Sequence, residues 1–279
     1  MPATQIGQNL AFINWTLLTG LALGAYAAVV LLRRRGMATR GFLGFTTVCA
    51  IGFGILAWLS DGALPSTMGD SPITLDTTWN APRGFALLAF WVLALAALVI
   101  RRGRPAWAPA AELAALAAGV LALVFGSLAW GGGSVGALAL LVELAVLAAA
   151  TGGVFAAMIL GHWYLVTPKL PEAPLILLSR TLMVVIAVQV GLFAVWIATG
   201  AGPAGVAPFS ALVGPWALFV WLRLIIGLIF PLIVSWAAVQ TARSRSMESA
   251  TGLLYINVGT IASGTILAAG LYFGAGLLV

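Results

Sequence analysis

The sequence predicts an all-α, polytopic integral membrane protein, with eight transmembrane helices in a single domain over residues 1–279. Two observations carry this prediction. Apolar residues make up 62% of the chain and charged residues only 7%, whereas a soluble domain carries about 25% charged residues. The apolar residues also form continuous runs of the roughly 20 residues that a helix needs to cross the hydrocarbon core, which excludes the alternating pattern of a membrane β-barrel.

Eight apolar runs define the predicted spans. They are expected at about residues 9–32, 41–59, 84–100, 109–130, 136–168, 174–199, 216–240 and 249–278. The longest polar stretch, residues 62–83, is expected to be a surface loop with a short interfacial piece around Trp79. The first residues lack the positive region and the cleavage site of a signal peptide, so the first span is expected to be retained.

Basic residues predict the orientation of these spans. Those in the loops after odd-numbered spans are Arg33, Arg34, Arg35, Arg40, Arg101, Arg102, Arg104, Lys169, Arg243 and Arg245. Only Arg83 falls in a loop on the other side. Because cytoplasmic loops carry the excess of lysine and arginine, both termini are expected on the non-cytoplasmic side of a cell inner membrane.

A faint likeness between residues 1–130 and 136–279 raises the hypothesis of two four-helix halves. The first and fifth spans share small-residue runs, at Gly20 and Gly24 and at Gly152 and Gly153. Four spans return the chain to its starting side, so such a repeat would be parallel; parallel repeats occur in transporters.

The counts of cysteine and histidine restrict the chemistry of this chain. Cys49 and His162 are its only residues of those types. No disulfide framework, iron–sulfur cluster, zinc site or haem is therefore expected, because each needs more ligands. ATP-driven transport and standard intramembrane hydrolysis are also disfavoured, since the P-loop, HExxH and GxSxG motifs are missing.

Two ionisable residues lie inside predicted spans at matching depth. Glu143 is roughly 9 Å and Arg223 roughly 7 Å to the outer side of their span midpoints, at 1.5 Å rise per residue. Charges inside a membrane are costly, so each is a functional hypothesis. Glu143 and Arg223 are expected either to form a structural ion pair or to line a site or a proton path.

Four further residues suggest a quinone-binding site. A quinone needs hydrogen-bond donors at its carbonyl oxygens and an aromatic wall, and His162, Tyr164 and Arg180 offer those groups near the cytoplasmic end. Gln189, close to the midplane, needs a partner helix or a ligand. The structural alternatives are that Arg180 snorkels to the headgroups and that His162 and Tyr164 are interfacial anchors.

These observations leave two functional hypotheses. In the first, the chain is the integral membrane subunit of a respiratory or photosynthetic-type redox complex, which anchors partner subunits and binds a quinone without a metal cofactor of its own. In the second, it is a small permease with a pathway lined by Glu143, Gln189 and Arg223. Whether the chain is itself an enzyme stays open. Its expected partners are the lipid bilayer and other membrane or peripheral subunits, and no nucleic acid.

Overall fold

The computed structural model describes residues 1–68, 71–103, 106–167 and 170–279. Within these ranges eight helices are long and apolar enough to cross a membrane, which confirms the predicted all-α architecture. The helices are α1 (Pro2–Gln8), α2 (Leu10–Arg34), α3 (Arg40–Gly62), α4 (Asn80–Gly103), α5 (Ala108–Trp130), α6 (Ser134–Val166), α7 (Ala173–Thr199), α8 (Ala217–Leu224), α9 (Phe230–Arg243) and α10 (Met247–Ala275). The seventh span consists of α8, a π-helical turn (Ile225–Ile229) and α9. Arg104, Pro168 and Lys169, which the sequence predictions used, lie outside the described residues.

Local sequence sets the ends of several helices. The hydroxyl of Thr39 caps α3 by accepting a hydrogen bond from the backbone N–H of Phe42 at 3.4 Å. Pro174 lies in the first turn of α7, where its missing N–H costs nothing. Helices α7 and α10 end at Gly200 and Gly276, both with φ of +66°, a left-handed conformation that glycine adopts without strain.

Helices α2 and α6 form the centre of the bundle. They touch backbone to backbone, because a Cβ atom on Gly24 would lie 2.8 Å from the Cα atom of Gly152. Helix α2 also packs against α3 and α10, while α6 also packs against α5, α7 and α10. The small residues of the two helices therefore let the backbones meet in the middle of the bundle.

One span begins earlier than predicted. The segment around Trp79 is a 3₁₀ turn (Thr77–Trp79), and α4 starts directly after it at Asn80. Arg83, which was expected at the end of a surface loop, therefore lies inside the first turn of α4 and is only 2% exposed. The physical reason is a buried acceptor on the neighbouring helix, the carboxylate of Asp61.

Aromatic side chains fill the end of the bundle where α2 begins. The ring of Trp130 packs edge-on against Phe12, Trp15 and Phe273, with centroid distances of 5.7, 4.7 and 5.3 Å. The hydroxyl of Tyr272 donates to the carbonyl of Trp130 at 2.9 Å. Helices α2, α5 and α10 are therefore joined at this end, opposite the arginine-bearing turns.

Candidate functional site

Glu143 on α6 and Arg223 on α8 face each other inside the bundle. Their side chains are 6% and 2% exposed, and Nη2 of Arg223 lies 3.7 Å from Oε1 of Glu143. This separation is an ion pair without a hydrogen bond. Oε1 is buried and has no hydrogen-bond partner among the residues that the structure describes. Oε2 accepts a hydrogen bond from the indole N–H of Trp196 at 3.3 Å.

Gln189 on α7 joins this pair to the rest of the bundle. Its Oε1 accepts from Nη2 of Arg223 at 2.9 Å, and its Nε2 donates to the carbonyl of Val146 at 3.0 Å. A buried amide needs partners for both ends. Gln189 therefore works here as a connector between α6, α7 and α8, with both polar atoms already occupied.

The helix changes its winding just after Arg223. In a π-helical turn the backbone hydrogen bonds are displaced by one residue, and such turns often occur at functional sites. Arg223 donates to the carbonyl of Gly227, inside the turn, at 3.3 Å and to the carbonyl of Val279 at 3.4 Å. Pro231 follows, and its missing backbone N–H disfavours regular α-helical bonding at this point. Gly227 also allows α10 to approach, since a Cβ there would lie 2.7 Å from the Cα atom of Gly264.

The residues predicted for a quinone site are distributed over several places. Tyr164 is buried, and its hydroxyl donates to the carbonyl of Pro171 at 2.5 Å. Arg180 is exposed on α7 and forms no ion pair with any residue that the structure describes. Gln189 lies nine residues beyond Arg180, about 13 Å along the helix. Tyr164 and Gln189 thus bond to groups within the protein while Arg180 is exposed, and a quinone site built on these three residues stays a prediction.

His162 has a neighbour that the sequence did not suggest. The hydroxyl oxygen of Tyr255 on α10 lies 3.3 Å from Nδ1 of His162 on α6. Both side chains are exposed. Sequence reasoning missed this contact because the two residues are 93 positions apart.

Two clusters of charged residues were also missed. Near the start of α2, Nε of Arg83 donates to Oδ1 of Asp61 at 2.5 Å. At the arginine-rich end, Glu112 on α5 binds both Arg33 and Arg101 and is itself 2% exposed. The available signal was position: in each cluster the acidic and basic residues lie near the same end of neighbouring spans. From the sequence, the arginines of both clusters were used only to predict the topology.

Metal ligands do not converge in the part of the chain that the structure describes: no three His, Cys, Asp or Glu side chains are close enough to hold an ion. Comparison with protein-family models, with curated proteins and with solved structures gives no match. The eight apolar helices nevertheless define the class, a multi-pass membrane protein with a lipid bilayer as its environment.

Proposed function

We propose that this protein is the integral membrane subunit of a redox complex, in which it anchors partner subunits and binds a quinone. The observation that carries the proposal is the contact between His162 and Tyr255, two exposed side chains whose polar atoms lie 3.3 Å apart on membrane-spanning helices. A quinone carbonyl needs a hydrogen-bond donor, which an imidazole or a phenol supplies.

The depth of this pair supports a ligand that arrives through the lipid. Tyr255 is eight residues from the start of α10 and His162 four residues from the end of α6, so they lie about 12 and 6 Å inside their helices. Polar groups that face the hydrocarbon region are unfavourable unless they find a partner. A quinone headgroup, which moves within the bilayer, satisfies them without an aqueous channel.

A binding measurement tests the quinone site. Purified protein in lipid nanodiscs is titrated with a short-chain benzoquinone by isothermal calorimetry. His162→Ala and Tyr255→Phe are expected to raise the dissociation constant about tenfold, the loss of one hydrogen bond. Tyr164→Phe is the matched control, because the Tyr164 hydroxyl is occupied by Pro171. Equal binding by the parent protein and both site variants contradicts the proposal.

The partner subunits are tested by isolation. Extraction of the complex from native membranes with a mild detergent is expected to yield this chain together with subunits that carry flavin, haem or iron–sulfur absorbance. Recovery of the chain as a homo-oligomer without such subunits contradicts the role in a redox complex.

A permease is the second candidate. Oε1 of Glu143, beside the π-helical turn, accepts no hydrogen bond from any residue that the structure describes, and this favours a permease. A buried carboxylate with a free oxygen can take up a proton, and an irregular helix is typical of transporter binding sites. Solute or proton flux into proteoliposomes that disappears in Glu143→Gln would support this function. The closed contact between Gly24 and Gly152 argues against it, because alternating access requires a path between the halves.

The proposal includes an orientation in a cell inner membrane, with the arginine-rich end in the cytoplasm. In a Cys49→Ala background, cysteines replace Ala63 in the loop after α3 or Ser244 in the turn after α9, both exposed. A membrane-impermeant maleimide added to intact cells is expected to label position 63 and not position 244. The reverse result contradicts the orientation.

We further infer that residues 1–130 and 136–279 are related halves. The support is positional: α2 and α6 are the first spans of the two halves, and they meet at the contact of Gly24 with Gly152. The third span of each half carries a buried arginine, Arg83 and Arg223, that donates to an acceptor on the second span.

A further inference from the structure

A cavity of about 300 Å³ lies at the end of the bundle where α2 begins. The loop after α3 and the first turn of α4 form its rim. Its apolar wall includes Phe12, Leu64 and Leu75, and its polar wall consists of Asp61, Asn80 and Arg83. None of the residues singled out from the sequence as a quinone site belongs to it.

Hydrogen bonds hold the side chains of the polar wall in fixed positions. Oδ1 of Asp61 accepts from Nε of Arg83 at 2.5 Å and from the indole N–H of Trp15 at 2.8 Å. Nη1 of Arg83 donates to Oδ1 of Asn80 at 3.2 Å. The guanidinium also stacks over the ring of Trp130 at 4.7 Å, an attractive cation–π contact. The Asp61 and Arg83 side chains are only 6% and 2% exposed, so this geometry is locked.

This wall keeps one acceptor and one donor. Oδ2 of Asp61 and Nη2 of Arg83 have no hydrogen-bond partner among residues 1–68, 71–103, 106–167 and 170–279. The two charges compensate each other, so an ionic ligand gains no net attraction. The pair suits a group that donates and accepts at the same atom, which is the property of a hydroxyl.

We propose that this cavity binds a hydroxylated aromatic ring, the headgroup of a quinol. One hydroxyl donates to Oδ2 of Asp61 and accepts from Nη2 of Arg83, while the ring lies against Phe12, Leu64 and Leu75. The volume of about 300 Å³ is within the range of small-ligand pockets and accommodates one substituted ring. The choice of a quinol among hydroxylated rings rests on the proposed redox function, and this second site lies at the end of the bundle opposite to His162.

The same geometry selects the reduced form. A quinone has carbonyl oxygens in place of hydroxyls, so it accepts from Arg83 but donates nothing to Asp61. Binding it would bury a carboxylate oxygen without a partner, which is unfavourable. The quinol is therefore expected to bind this cavity about tenfold more tightly than the quinone.

Anaerobic calorimetry with a short-chain benzoquinol and the matching benzoquinone tests the proposal in nanodiscs. Ala81 lines the cavity from an exposed position on α4, so Ala81→Phe is expected to fill it and to abolish the quinol site. Ala63→Phe, exposed on the neighbouring loop and outside the cavity, is the matched control. Asp61→Asn, where it folds, is expected to remove the preference for the quinol.

The outcomes separate this inference from the proposed function. Quinol binding that is equal in Ala81→Phe and Ala63→Phe overturns the cavity site, even where the His162 variants lose quinone binding. Loss of quinol binding in Ala81→Phe supports the cavity site. This conclusion holds even if the His162 variants keep full affinity for the quinone, a result that would contradict only the proposed quinone site at His162. A parent protein that binds quinone and quinol equally well at the Ala81-dependent site contradicts the assigned role of Asp61.

Discussion

Replacing Arg223 by methionine is expected to destabilise the protein more than any other single change within the ion pair. The substitution keeps the apolar stem but removes the guanidinium, which donates to Gln189 at 2.9 Å and lies 3.7 Å from Glu143. Glu143 is then left buried with the indole of Trp196 as its only hydrogen-bond donor among the described residues.

The expected loss of unfolding free energy differs between the two residues, because Arg223 has more hydrogen-bond partners than Glu143. Removing one partner of a buried ion pair costs about 3–5 kcal/mol, because the other charge stays desolvated and uncompensated. Glu143→Gln is expected to cost less than Arg223→Met, since Arg223 keeps three oxygen acceptors, those of Gln189, Gly227 and Val279, whereas Glu143 keeps only one donor. The double variant Glu143→Leu with Arg223→Met is expected to be more stable than Arg223→Met alone, because no charge remains buried.

Reversible unfolding in mixed detergent micelles, followed by tryptophan fluorescence, measures these free energies. Arg180→Met is the matched control, as Arg180 is exposed on α7 and its loss is expected to change the unfolding free energy by less than about 0.5 kcal/mol. Glu143→Leu alone completes the cycle with Arg223→Met, and a double variant whose cost equals the sum of these two single costs would show that Glu143 and Arg223 do not interact. Equal costs for Glu143→Gln and Arg223→Met would refute the assigned asymmetry.

Two other predictions follow from the packing and from the connecting loops. Gly152→Ala is expected to lower the unfolding free energy by about 1–3 kcal/mol, because its Cβ would lie 2.5 Å from the Cα atom of Gly24. Gly153→Ala is the control: its Cβ meets nothing within 4 Å, so it is expected to be neutral or slightly stabilising. Equal melting temperatures for the two variants would contradict this prediction. The pKa of Glu172 lies below its ordinary value of 4.5, because its own backbone N–H and then Arg245 hydrogen-bond the carboxylate. A carboxylate with a lowered pKa stabilises the fold at pH values above its ordinary pKa, and this stabilisation is lost as the pH falls through the lowered pKa. Arg245→Gln removes part of this stabilisation. Its melting temperature is therefore expected to fall less than that of the parent when the pH drops below about 4.5.

The sequence was sufficient to predict the eight spans, because span length and apolar content are imposed by the bilayer itself. It failed at the start of α4, where Asn80 to Arg83 look like loop residues by composition. Arg83 belongs to the helix because Asp61, on a different span, neutralises it. A helix boundary that depends on a tertiary contact is invisible to any reading of local composition.

The candidate sites, like the helix boundaries, have some features that the sequence predicts and others that depend on tertiary contacts. Depth along a helix can be counted from the sequence, so Glu143 and Arg223 were expected at one level. The rotation of a helix about its axis relative to its neighbours is fixed only by packing. For that reason the bond between Gln189 and Arg223 and the contact between His162 and Tyr255 could not be derived, and Tyr164 and Arg180 were grouped although they face different surroundings.

The two buried arginines differ in the partners that they bind. Arg83 donates directly to the carboxylate of Asp61 on the second span of its half. At the corresponding place in the other half, Arg223 donates to the amide of Gln189, and the carboxylate of Glu143 comes from the first span at 3.7 Å. The first arrangement neutralises the arginine and lets Asp61 face a cavity. The second uses a neutral amide as the near partner, and one carboxylate oxygen of Glu143 accepts no hydrogen bond within the described part of the chain. A tightly bonded pair beside a pocket suits ligand recognition, whereas a separated pair beside a π-helical turn suits proton uptake, so the two halves are expected to differ in task even if they share an origin.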